Sequence, residues 1–169
     1  MRTSFSVIGV KTPVIRAGDD LPSILLAAVK ESPAAGISDG DILVVHTGWY
    51  KYSWYQPEGM ADEERYIHLH PGPSREWVDW LIRRKIKVWG VDAVSTDHPL
   101  NLPIGRPEFG LRCVPKVRAL AEQKFGKDNL EKLFPKEDYQ LTHNKLFPHD
   151  IIHMENLGGD IEKVLNRRL

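Results

Sequence analysis

Ile42-Leu-Val-Val45 places four β-formers in a row directly after the Ser38-Asp-Gly-Asp41 turn, and this run constrains the fold more than any other feature. A half-buried strand alternates apolar with polar residues, so an unbroken apolar run predicts a strand covered on both faces. The next periodic segment is helical. Ser74 stands at the cap position, Glu76 in the first turn, and Trp77, Val78, Leu81 and Ile82 form one apolar stripe. Arg83-Arg84-Lys85 then supplies positive charge where a helix ends negative. Ile86-Lys-Val-Trp-Gly-Val91 alternates as a strand and runs into Asp92. Strand, helix, strand is a β-α-β crossover, which predicts an α/β fold with a mixed or parallel sheet, flanking helices and long loops.

Residues 5–10 predict a further strand, and Asp20 with Pro22 opens a helix carrying Ile24, Leu25, Ala28 and Val29 as far as Ser32-Pro33. Pro99, Pro103 and Pro107 mark residues 96–114 as loop. Helices are expected over 115–124, with Val117, Leu120 and Ala121 inward, and over 129–134. Residues 150–155 look strand-like, and 160–169 predict a capped terminal helix bearing Ile161, Val164 and Leu165. Between Gly48 and His70 neither period persists, and Trp49, Tyr50, Tyr52, Trp54, Tyr55 and Tyr66 crowd a long structured excursion. Packing onto the body or a subunit neighbour accounts for such rings, and so does the wall of a substrate pocket.

The 169 residues predict one core and a single domain over 1–169. Lys+Arg 23 against Asp+Glu 23 leaves no basic field to gather phosphates, which argues against nucleic acid as a partner. No apolar run approaches the ~20 residues of a membrane span, and Met1-Arg-Thr-Ser-Phe5 lacks a signal peptide's apolar core. The expectation is therefore a cytoplasmic protein without a membrane partner. Cys113 stands alone, so it reads as a packing residue, and any metal would be held by His, Asp or Glu.

Three late histidines carry the strongest chemical signal. His143 falls in a loop, His149 follows, and His153 and Glu155 lie two apart on a strand, a spacing that turns both to one face. Imidazole and carboxylate suit zinc or manganese. Seven histidines produce such groupings by chance, so on spacing alone His149 and His153 read as surface or satisfied core residues. The same reading covers His68 and His70, and Asp97-His98, since adjacent turn residues do not aim at one point. No nucleophile elbow, phosphate loop or dinucleotide fingerprint is present.

Four ordered features from about Gly40 onward resemble the cyclase, or kynurenine-formamidase-like, family of metal-dependent hydrolases. They are the strand entering Thr47-Gly48-Trp49, the Pro71-Gly-Pro-Ser74 helix start, the strand ending Gly90-Val-Asp92-Ala93, and His143 followed twelve positions later by Glu155 in Ile151-Ile-His-Met-Glu-Asn-Leu157. The resemblance implies a swivelling β/β/α-like architecture, with His143 and Glu155 as ligands of a zinc or manganese ion. It also implies metal-activated hydrolysis of an amide or ester in a small, cyclic or acyclic substrate, with Trp49, Tyr52 and Trp54 as substrate-binding rings. The family's early H-x-G-T-H-x-D-x-P-x-H segment does not occur in this sequence, so no catalytic histidine carries over. That departure keeps a second expectation open: an inactive binding or assembly module lacking a complete metal site.

Residues 1–40 form an atypical opening segment. Ile8-Gly-Val-Lys-Thr-Pro-Val-Ile-Arg-Ala-Gly-Asp-Asp-Leu21, with Asp39-Gly-Asp-Ile-Leu-Val-Val45, resembles the start of the deazaflavin-coenzyme gamma-glutamyl ligase family, a third expectation that implies nucleotide binding. A homo-oligomer is expected because the aromatic excursion exceeds what a small core covers.

Overall fold

The computed structural model describes residues 5–9, 37–56, 61–164 and 167–168. Five strands form one mixed sheet: β1 (Phe5–Gly9), β2 (Ile42–His46), β3 (Val88–Val91), β4 (Ile152–Met154) and β5 (Arg167–Arg168), in the order β4-β3-β2-β1-β5. β1 to β4 run parallel, with Ile42 paired to Val88 and Trp89 to His153, while β5 runs antiparallel along β1. The apolar run of β2 thus occupies the middle of the sheet, and both its faces are covered. Leu43 and Val45 join Trp89 and Val91 beneath α2 (Arg75–Arg83) and α5 (Leu141–Leu146), where Trp77, Val78, Leu81, Leu141 and Leu146 complete the main core. Val44 faces the other way, onto Ile161 with Met154, Leu157 and Val164 around it.

The expected crossover is present, as β2 and β3 are parallel neighbours on either side of α2 in sequence. Ser74 holds the cap position of α2, but its hydroxyl is buried and accepts no backbone N–H. The loop over 96–114 is built from three tight turns, each led by a proline: Pro99–Asn101, Pro103–Gly105 and Pro107–Phe109. α3 (Val114–Phe125) and α4 (Leu130–Leu133) follow as expected. They enclose a smaller core of Leu100, Val117, Ala121 and Leu130, against which half-buried Cys113 packs. Among the described residues, no helix is long and apolar enough to cross a membrane.

Two expectations are corrected. The aromatic excursion contains a helix, α1 (Glu63–His68), capped where the Asp62 carboxylate accepts the Arg65 N–H, with Glu63 and Glu64 at its positive end. The terminal helix expected over 160–169 is not found among the described residues: Ile161–Val164 forms one turn that seats Ile161 on Val44, and Arg167–Arg168 form β5. Among the described residues, Arg167–Arg168 pair with Ser6 and Val7 on the outer edge of β1, where backbone donors and acceptors need partners. Leu165 and the helix expected from Asp20 to Ser32 lie outside the described residues.

Candidate metal centre

Parallel strands gather chemistry at their carboxyl ends, where the chain leaves the sheet. Here those ends deliver His46 and Thr47 from β2, Asp92 from β3 and Glu155 from β4. Asn156, with φ 57°, takes the left-handed turn that follows, a conformation asparagine tolerates. Its N–H donates to the Ala93 carbonyl at 2.7 Å, and the Tyr66 hydroxyl donates to its side chain at 2.5 Å.

His143, His153 and Glu155 each offer one ligand atom, and the three atoms lie within 4.8 Å of one another. The rings of His143 and His153 meet edge-on at 4.3 Å between centroids. β4 presents His153 and Glu155 on one face, and His143, expected in a loop, comes from α5 in the helical layer. His153 was expected to be a surface or satisfied core histidine. Instead it is half-buried beside the other two, its Nδ1 has no hydrogen-bond partner, and its Nε2 lies 3.9 Å from Glu155 Oε1. His149 is exposed and takes no part.

A network behind the triad fixes two of its members. Glu155 Oε1 accepts from the Ser95 hydroxyl at 2.9 Å, the Thr96 N–H at 2.8 Å and the Thr96 hydroxyl at 2.9 Å. Burial alone would raise this carboxyl's pKa, but the Thr96 and Ser95 donors outweigh burial and hold it below the usual value, so Glu155 stays anionic. The Thr96 hydroxyl also meets that of Thr142 at 2.9 Å. Asp97, fully buried, accepts the Thr142 N–H at 2.8 Å through Oδ1 and lies 2.7 Å from His143 Nδ1 through Oδ2. A carboxylate there keeps the proton on Nδ1 and leaves Nε2 as a lone-pair donor. Burial, then the neighbouring His143, lowers the His153 pKa, which favours the neutral ring a cation needs. Two imidazoles and an anionic carboxylate match the donor set of zinc and similar ions, and the unpartnered His153 Nδ1 and the Glu155 oxygen Oε2, free of hydrogen bonds among the described residues, fit such an occupant.

The sequence features that lie far apart meet around this centre. Thr47 of the Thr-Gly-Trp turn donates its N–H and its hydroxyl to Asp92 Oδ1, both at 2.7 Å, while Asp92 Oδ2 lies 2.9 Å from His46 Nδ1. Gly72 touches the chain at His98: a Cβ on Gly72 would come within 2.2 Å of the His98 nitrogen, so only glycine fits. His70 is wholly buried, which lowers its pKa to about 4 despite the Pro71 carbonyl beside Nδ1. His98 is buried and stacks on Phe134 at 4.2 Å. Asp97 and its neighbour therefore do point apart, but Asp97 points into the site.

The rings expected to contact substrate separate. Trp49 and Tyr52 line a cavity of about 520 Å³, whereas Trp54 packs edge-on against Tyr66 at 5.5 Å and leaves 45% of its surface exposed. Neither His143, His153 nor Glu155 lines that cavity. Beside the triad stands another ring, Phe147, stacked on His153 at 4.8 Å and half exposed.

The fold and these junctions define a member of a known class. The Cyclase family model matches residues 6–98, more than half of the chain, and the chain belongs to that family. The match begins inside the opening segment, including the stretch that resembles the ligase start, and ends at His98, ahead of His143 and Glu155. A crystal structure of an isatin hydrolase bound to the product analogue thioisatinate shares the fold, with a TM-score of 0.56 and 19% identity. The alignment covers 97% of this chain and 50% of that one, so the chain spans about half the length of that structure. No curated protein matches.

Proposed function

We propose that this chain is a metal-dependent hydrolase of the Cyclase family, acting on an amide or ester bond of a small, cyclic or acyclic carbonyl compound. The convergence of His143, His153 and Glu155, with Asp97 behind His143, carries the proposal. A zinc or manganese ion held there would supply the positive charge that acidifies a water molecule and polarises a carbonyl oxygen. The protein's part is to present three donors in the right protonation state. Asp97 sets the His143 tautomer, burial keeps His153 neutral, and the Ser95 and Thr96 donors keep Glu155 charged. Phe147, exposed beside both imidazoles, offers a flat face for the substrate's body.

The test is metal content and turnover together. Purified protein loaded with zinc or manganese should hold about one ion per chain and hydrolyse isatin or an aryl formamide. His143→Ala and Glu155→Gln should lose both properties. Absence of metal at saturating zinc and manganese refutes the proposal. Metal without turnover favours the second reading, a binding module that keeps the fold, which the absence of the early histidine segment from the sequence supports.

A further inference from the structure

We infer that the cavity bearing Trp49 and Tyr52 is a second small-molecule site, distinct from the cation-binding triad, and that it takes an organic anion with a flat apolar body. Its volume of about 520 Å³ falls within the 300–1,000 Å³ typical of sites for such molecules. The floor is apolar. Leu100, Val117 and Ala121 of the smaller core line it, together with Leu120 and Phe125. Water gains little from such a surface, whereas a flat hydrocarbon ring buries area against it.

The rim is aromatic and cationic. Trp49 and Tyr52 meet edge-on at 5.0 Å, and the Arg65 guanidinium lies 4.2 Å from the Tyr52 ring centre and 5.7 Å from that of Trp49. Lys51 stands 5.0 Å from the same Tyr52 ring. Stacking engages the face of a guanidinium and leaves its in-plane N–H donors for a carboxylate. No ion pair joins the Arg65 guanidinium to a carboxylate among the described residues, although two acids, Asp62 and Glu64, share the lining. Asp62 accepts the Arg65 backbone N–H, and Glu64 pairs with Lys116 at 2.5 Å. A hydrophobic bed with a positive, donor-rich rim recognises an aryl carboxylate better than a neutral or cationic analogue.

The inference stands independently of the hydrolase reading, and one experiment separates the two. Calorimetric titration of the whole protein with 2-naphthoate, and with 2-naphthamide as its uncharged isostere, should show one site per chain and a preference for the carboxylate of at least tenfold. Arg65→Gln, an exposed change that leaves the core untouched, should erase the preference while naphthamide binding holds. Leu120→Trp, which fills the cavity, should weaken both ligands tenfold or more, with thermal unfolding checking that the variant folds. His143→Ala should leave both titrations unchanged. The inference is overturned if neither ligand binds at millimolar concentration, if the amide binds as tightly as the carboxylate, or if His143→Ala abolishes binding, which would place the ligand on the triad.

Discussion

Replacing Asp92 with asparagine tests whether the junction between the Thr-Gly-Trp turn and the end of β3 holds the sheet together. Asp92 is fully buried, accepts two 2.7 Å hydrogen bonds from Thr47 and lies 2.9 Å from the buried His46 ring. Asparagine keeps the shape but loses the charge, and its amide turns an N–H₂ toward donors that need an acceptor. Breaking one partner of a buried pair costs about 3–5 kcal/mol, which in a chain of this length lowers Tm by roughly 6–20 °C. The pH dependence follows from two opposed shifts. Burial alone would lower the His46 pKa, but Asp92, aided by Glu162, raises it above 6.5, so its contribution is full below 6.5 and fades as pH climbs through the raised value. Burial would raise the Asp92 pKa, but His46 and Thr47 depress it below 3.8, so its contribution is present above 3.8 and fades as pH falls through the depressed value. The pair therefore stabilises most between these limits. Urea unfolding of both proteins, followed by tryptophan fluorescence at pH 5.5 and pH 9, should give a larger difference at pH 5.5. A loss under about 1 kcal/mol, or one that grows toward pH 9, would refute the assignment.

Two further substitutions probe the site's supports. Asp97→Asn leaves the triad's three donors in place but removes the carboxylate behind His143, so zinc affinity in a chelator competition should fall about 10- to 100-fold, and an unchanged affinity would remove Asp97 from the site. Gly72→Ala forces a methyl group onto the His98 backbone, where 2.2 Å of separation cannot be kept, so chemical denaturation should show a loss of about 1–3 kcal/mol from overpacking. Equal stability would show that the two segments are not in contact.

How much of this was legible in the sequence depends on the range of the forces involved. The β2-α2-β3 unit was legible because hydrophobic period is local: Leu43 and Val45 need one apolar cover and Val44 another, and the unbroken run announces both. The terminal segment is less legible because Ile161 and Val164 fit a helix as well as a single turn, while the strand at Arg167–Arg168 depends on pairing with Ser6 and Val7, far away in sequence. Trp49, Tyr52 and Trp54 belong to one aromatic cluster, yet two line a cavity and one lies outside it, a difference set by where the turn after Gly48 aims each ring.

The metal centre divides along the same line, and its division suggests a usable rule. His153 and Glu155 were visibly on one strand face, but nothing nearby in sequence told a ligand from a chance histidine, since His143 and Asp97 arrive from other elements and meet only across the fold. What the sequence does mark is the end of each parallel strand, as the first ionisable residue after an apolar run. By that criterion His46 after Leu-Val-Val and Asp92 after Val91 are singled out, and on β4 the mark falls first on His153, after Ile151-Ile152, with Glu155 two residues on closing the strand. His46, Asp92 and Glu155 all stand at the carboxyl edge of one parallel sheet, where chain direction alone requires polar groups to collect. Two of them, His46 and Asp92, lie 2.9 Å apart as an ion pair between neighbouring strands, while Glu155 meets imidazoles and points to a cation. Strand-end polarity thus locates the working edge of such a domain, and the company each residue keeps there separates scaffold from site.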